Sequence, residues 1–212
     1  MIISVSIENS HLYGDVIPSI FRLRYQGFKE RQSYDVPSYK NMEYDAYDTP
    51  ATTYLAWRDA DKVVKGCIRL FPTTRPYMIE ELWPQTVYNH IPLPKEDDIW
   101  ESSRICIDRY LPVEIRKQIH GEILCALQEF GLKNNITSLI GVMTPGIWRS
   151  VFASAGIPIE FLGPKYYLDS KEAILTGKID ISYDNLEQVR KKFNINKDIL
   201  ASENEQKIRR IA

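Results

Sequence analysis

Cysteine and histidine are scarce, three of each in 212 residues, and neither falls into a C-x-x-C pair or an H-E-x-x-H run. That excludes the common zinc and dithiol signatures. Cys67, Cys106 and Cys125 each lie in an apolar run and read as buried thiols, while His11, His90 and His120 are scattered and carry no chemistry. Excess charge is missing as well. Lys and Arg number 27 against 28 Asp and Glu, a formal net charge of -1, so no global field draws in nucleic acid or an anionic membrane surface. There is no long apolar run, and Met1 leads without a basic start into the alternating Ile2-Ile3-Ser4-Val5-Ser6-Ile7. The expectation is a cytoplasmic chain with neither secretory signal nor membrane span.

What is present suffices for a core. Hydrophobic residues make up 44% of the chain, enough for one domain over residues 1–193 followed by a polar tail, 194–212. After the opening strand, Ile17, Ile20, Phe21, Leu23 and Phe28 recur at helical spacing behind a candidate N-cap, Asp15, which predicts a helix ending near Lys29. Residues 30–52 show no period and form a long ordered loop of the kind that often carries function. The runs 53–57 and 63–70 predict a hairpin, and 99–107 a further strand. Pro112 opens an amphipathic helix with the stripe Ile119, Ile123, Leu127, Phe130. Residues 138–143 read as a strand buried on both faces, 145–155 as a helix, 161–167 as a last hairpin and 182–193 as a late helix. Strand and helix alternate, which implies an α/β sandwich.

Four short segments place ionisable residues where packing favours apolar ones: R-L-R-Y-Q-G-F-K-E-R (22–31), E-Y-D-A-Y-D (43–48), R-L-F-P-T-T (69–74) and W-E-S-S-R (100–104). Taken singly each has an ordinary reading. Arg24 would sit on a solvated helix face. Asp45 and Asp48 would cap a loop, or with Glu43 hold a cation, although the segment lacks the glycine of an EF-hand loop. Arg69 lies within a β-rich run and, if buried, needs an anionic partner, which the three carboxylates could supply in a purely structural network. Glu101 and Arg104 project to opposite faces of a regular strand; a bulge at Ser102 or Ser103 would bring them to one side.

The order and spacing of these segments resembles the acyl-homoserine-lactone synthase family, makers of quorum-sensing signals. The resemblance covers most of the chain and maps the family's recurring positions onto Arg24, Phe28, Asp45, Asp48, Arg69, Glu101 and Arg104. Tyr34 stands where the family usually has Trp. It implies an α/β/α three-layer sandwich around a mixed twisted sheet, GNAT-like and splayed in the middle, and an acyltransferase with two substrates, S-adenosylmethionine and acyl-acyl carrier protein. No cofactor and no metal is required. The methionine amine attacks the acyl thioester, and the methionine carboxylate attacks its own γ-carbon, expelling methylthioadenosine and closing the lactone. Such a substrate calls for acids, a cationic partner and aromatic faces, which Arg24, Phe28, Tyr34, Asp48, Arg69 and Arg104 would supply. A general base must take the ammonium proton; Glu101 is the first choice and Asp45 the second.

The resemblance also places an acyl channel between the strands at 99–107 and 138–144, with Val142, Met143, Trp148, Val151 and Phe152 as candidate walls, though the same residues fit an ordinary core. Thr144 matches a position whose hydroxyl is associated with acyl groups oxidised at the third carbon, which favours a 3-oxo or 3-hydroxy donor. Lys133, Arg149 and Lys165 are candidates for docking an acidic carrier protein. The runner-up is a GNAT enzyme using acyl-coenzyme A on another amine. Gln118-Ile119-His120-Gly121-Glu122-Ile123 partly matches the pyrophosphate loop of that family, with Ile123 in place of its second small residue, which counts towards a carrier protein and against coenzyme A. A non-catalytic protein that binds acyl signals is the alternative of a different class.

Overall fold

The computed structural model describes residues 2–168 and 172–201. Among the described residues ten strands and five α-helices follow one another as β1 (Ile2–Val5), α1 (Val16–Arg24), β2 (Ser38–Tyr39), β3 (Met42–Glu43), β4 (Thr53–Arg58), β5 (Val64–Pro72), α2 (Met78–Leu82), β6 (Ile99–Ile107), α3 (Val113–Lys133), β7 (Ser138–Met143), a single-turn α4 (Pro145–Ile147), β8 (Glu160–Phe161), β9 (Tyr166–Tyr167), β10 (Ala173–Asp180) and α5 (Tyr183–Phe193). The main sheet runs in the order β1-β4-β5-β6-β7-β10-β8, with β9 also on β10. Every pair in it is antiparallel except β6–β7. A parallel pair needs a long crossover, and α3 supplies it. One sheet face is covered by α1, through Val16, Ile20 and Leu23. The other is covered by α3, whose Ile119, Ile123, Leu127 and Phe130 are all buried, backed by α5. This is the α/β/α sandwich with a mixed sheet that was expected.

The parallel pair holds together only at its start: Ile99, Trp100 and Glu101 lie opposite Ser138, Leu139 and Ile140, and no ladder joins the strands after that. Gly141 sits at the point of divergence, where a Cβ would come within 3.0 Å of the Ser102 carbonyl. Beyond it the strands splay and a cavity enters between their ends.

Several elements differ from the sequence reading. Residues 160–167 form no hairpin of their own, since β8 and β9 each pair with β10. Both β10 and α2 went unforeseen. The segment 145–155 is a chain of three short turns, α-helical, π-helical (Trp148–Phe152) and 3₁₀ (Ala153–Ala155). The first residues of the expected tail are docked: Ile199 and Ala201 are buried, and Ile2 exchanges backbone hydrogen bonds with Ile199 and Ala201. The remainder, 202–212, lies outside the described residues. Gly121 lies within α3, where a Cβ would stand 2.4 Å from the Phe193 ring. That glycine serves helix packing against α5, and a helix interior has no spare N–H groups to cradle a pyrophosphate. The partial loop match therefore favours neither acyl carrier over the other.

Candidate active site

At Arg24 the backbone of α1 widens into π-helical turns, Tyr25–Arg31. Such widenings tend to mark functional positions. This one lets Gly27 ride against Cys106, whose Sγ would be 2.5 Å from a Cβ there, and it brings Phe28 under the Arg104 guanidinium, 5.7 Å from its ring centroid. Both sulfurs of the neighbouring pair, Cys67 and Cys106, are buried, and burial pushes each thiol up, that of Cys106 to about 12. They are inert packing groups.

Arg24, Arg69 and Arg104 close a ring with Glu43, Asp45 and Asp48. Arg24 donates through Nε to Glu43 and through both terminal nitrogens to the two oxygens of Asp48, at 2.7 and 2.9 Å. Arg69 Nη1 donates to Asp45 and to Asp48 Oδ1, the latter at 3.1 Å. Arg104 returns to Glu43 (Nε to Oε1, 3.0 Å) and Asp45 (Nη2 to Oδ2, 2.6 Å). Arg24, Arg69 and Glu43 are fully buried, which is tolerable only because each charge is paired and hydrogen-bonded. Burial disfavours ionised Asp48, but the Arg24 bonds and the nearby Arg69 outweigh it and hold its carboxyl well below the usual range. The ring also answers the cation reading of 43–48. These oxygens are turned to arginines, and among the described residues no group of three or more His, Cys, Asp or Glu could hold a metal. Glu43, quoted in the sequence but given no part in the site, is a full member. Its total burial was the missing signal.

The bulge exists, shifted from its expected place. Cys67 faces Cys106 and Arg69 faces Ser103, so two steps of β5 match three of β6 and the extra residue lies at Arg104–Ile105. Arg104 takes a left-handed backbone, φ 54°, a strained conformation for a residue with a Cβ. The strain turns its guanidinium to the side that Glu101 and Ser103 share. Ser103 Oγ accepts from Arg69 Nε at 3.0 Å. Glu101 accepts two backbone N–H bonds from the first turn of α2, Met78 at 3.2 Å and Ile79 at 2.8 Å. Burial drives its pKa up to about 7, against those two bonds and the Arg69 charge.

The cavity at the splay measures about 590 Å³. Its lining brings the polar and aromatic residues Phe28, Gln32, Tyr34, Asp45, Ser103 and Arg104 together with the apolar Leu82, Trp83, Val142, Ile147, Leu168 and Ile174, and includes Met143 and Thr144. A lining that is polar and aromatic in part and apolar in part fits a charged substrate joined to an acyl chain. A family model described as autoinducer synthase matches residues 8–189.

The chain belongs to the autoinducer synthase family.

The synthase is 42% identical over 152 residues to an acyl-homoserine-lactone synthase of Acinetobacter nosocomialis, covering 69% of this chain and 82% of that one. It is 34% identical over 166 residues to the isovaleryl-homoserine lactone synthase of Bradyrhizobium diazoefficiens, covering 77% and 72%. In structure it matches BjaI, a CoA-dependent acyl-homoserine lactone synthase solved with SAM and isopentyl-CoA, at TM-score 0.84 and 27% identity over 100% of this chain and 99% of that one.

Not every candidate residue of the synthase reaches the cavity. Trp148 and Phe152 are buried in the core on the α3 side, with Trp148 Nε1 donating to the Leu175 carbonyl at 3.0 Å, and Val151 packs at the margin of the same core; none of the three is on the cavity wall. The ordinary-core reading describes them. Lys133 ends α3, just before β7 begins, whereas the cavity opens at the far ends of β6 and β7, so Lys133 is remote from any mouth. Arg149 and Lys165 are exposed and stand nearer, close in sequence to Ile147 and to Tyr166, which packs on Trp83. Arg24, Asp48 and Arg69 belong to the ring behind the wall, and Glu101 lies behind Met78 and Ser103, which line the cavity. Among the described residues no helix is long and apolar enough to cross a membrane.

Proposed function

We propose that this chain makes an acyl-homoserine lactone from S-adenosylmethionine and an acyl group carried as a phosphopantetheine thioester, releasing methylthioadenosine. The observation that carries this reading is one cavity at the splay of the parallel strands whose lining holds Arg104, Asp45, Phe28 and Tyr34 together with apolar residues of β7 and β10. S-adenosylmethionine takes the end at Phe28, Tyr34 and Arg104, where aromatic faces and a guanidinium suit its sulfonium and carboxylate. The acyl chain runs towards Val142, Ile147 and Ile174. Glu101 is the base, through one water across the Ser103 wall; Asp45 is less suited, because Oδ1 already accepts from Arg69 and from Tyr47 N, and Oδ2 from Arg104. Amine attack on the thioester and carboxylate attack on the γ-carbon then complete the lactone.

An acyl carrier protein is the proposed carrier, docking by Arg149 and Lys165. The likeness to CoA-dependent BjaI favours acyl-coenzyme A as the second reading. Incubating the purified protein with S-adenosylmethionine and either carrier, and measuring methylthioadenosine and lactone by mass spectrometry, tests both. No lactone from either carrier refutes the synthase, and a higher kcat/KM with one carrier selects it.

Two further results are expected. Tyr34→Ala removes the ring stacked on Phe28 and raises KM for S-adenosylmethionine more than KM for the acyl donor, while Tyr34→Trp keeps the aromatic wall and loses less than the Ala variant. Unchanged rates for the Ala variant at subsaturating S-adenosylmethionine would take Tyr34 out of that compartment. Thr144 Oγ1 accepts the capping N–H of Ile147 at 3.4 Å, which leaves its proton to donate towards a 3-oxo group or, with the roles exchanged, a 3-hydroxy group. Thr144→Val keeps the volume and removes that bond, lowering kcat/KM for substituted donors roughly two- to tenfold relative to unsubstituted ones, as about 0.5–1.5 kcal/mol implies. Equal losses on both donors would reduce Thr144 to a piece of wall.

A further inference from the structure

One side-chain hydrogen bond spans two walls of the cavity and has no part in the chemistry above. Tyr34 Oη donates to Glu172 Oε1 at 2.8 Å across 138 positions of sequence, and both residues line the cavity. Each is fixed from behind. Ser33 turns the chain through a left-handed conformation, φ 55°, Tyr34 N donates to the Phe28 carbonyl at 2.9 Å, and the Tyr34 ring lies nearly parallel to that of Phe28, 6.5 Å away. Phe28 in turn carries Arg104. Glu172 stands immediately before β10, where its carbonyl accepts from Leu168 N at 2.9 Å and the pairing of Ala173 with Tyr167 begins. The bond thus ties the loop wall at 32–37 to the β10 wall, over the compartment assigned to the sulfonium substrate.

The phenol keeps its proton throughout the working range, since burial and the Glu172 bond raise it to about 12.

We infer that Tyr34 and Glu172 form a clasp over the S-adenosylmethionine compartment, with Glu172 a positioning residue that holds the Tyr34 ring against the sulfonium substrate. The identity of that ligand rests on the synthase reading; the clasp itself does not. Tyr34→Phe and Glu172→Leu, singly and together, test it in the full chain. Each single variant is expected to raise KM for S-adenosylmethionine roughly three- to tenfold, with KM for the acyl donor little changed. The double variant is expected to be no worse than the poorer single one, because both changes remove the same bond. Losses that multiply in the double variant, equal rises in both KM values, or no change would each overturn the clasp. Calorimetric titration of the wild type with S-adenosylmethionine separates the two readings: if it does not bind, the synthase reading fails. Hydrogen exchange over 32–37 then decides the clasp alone, with faster exchange in both single variants expected and unchanged exchange refuting it.

Discussion

Glu101→Gln is expected to lower kcat by about two to four orders of magnitude, the range of a lost general base, with a smaller effect on KM for S-adenosylmethionine. The ammonium of that substrate must shed a proton before it can attack a thioester, and a carboxylate of ordinary acidity is a feeble acceptor for it. Burial raises Glu101 to about 7, which makes its ionised form a stronger base at the cost of being populated only from neutrality upwards. The sign is therefore definite: wild-type kcat rises with pH through about 7 and levels off, while the residual rate of the Gln variant lacks that step. The substituted amide also offers the two N–H groups of α2 one acceptor oxygen instead of two, so circular dichroism and a thermal midpoint must accompany the kinetics. A folded Gln variant with wild-type kcat and an unaltered pH profile would make Glu101 a helix cap and nothing more.

Asp48→Asn is expected to destabilise the fold by about 3–5 kcal/mol, the usual loss when one member of a buried ionic network is removed and its partners stay behind. This carboxylate accepts two bonds from Arg24, one from Arg69, the Tyr54 hydroxyl at 2.6 Å and the Asp45 N–H at 2.7 Å. An amide in its place presents an NH₂ to donors and leaves the ring with one arginine in excess. Urea unfolding measures the loss. Its pH dependence has a fixed sign, because the folded-state pKa of Asp48 is depressed: the contribution is complete above roughly pH 4, the unfolded value, and drains away as pH falls below it. The gap between wild type and variant should therefore narrow in acid. An unchanged midpoint at neutral pH would show that the ring is dispensable for stability.

The legible parts of the sequence were those with a period or an odd charge. Arg69, an ionisable residue in a β-rich run, announced a buried network before any partner was visible, and the stripe from Ile119 to Phe130 gave the face of α3. What could not be read depended on contacts between distant segments. The strand β10 contains Gly177 and Lys178 and pairs with three others, a tertiary fact without local signature. Gly121 imitated a loop glycine because its reason, the ring of Phe193, lies on another helix. Trp148 and Phe152 have the composition of a channel wall and of a core alike, and only the direction of each side chain separates the two. The bulge was foreseen from the need to bring Glu101 and Arg104 together, but a one-residue shift in register has no sequence mark beyond the strain at Arg104 itself.

The ionic ring draws its members from α1, from the loop and strand at 43–48, from β5 and from β6, and its bonds span 19 to 61 positions of sequence. Contacts of that range close late, since the chain entropy of the intervening loops is lost before any of them forms. No half-assembled intermediate can carry the site, because a partial ring is a set of unmatched charges that water solvates better than the protein does. On refolding from urea, the helical signal of α3, whose contacts begin within its own turns, should recover ahead of ligand binding, and the interval between the two would time the closing of the ring.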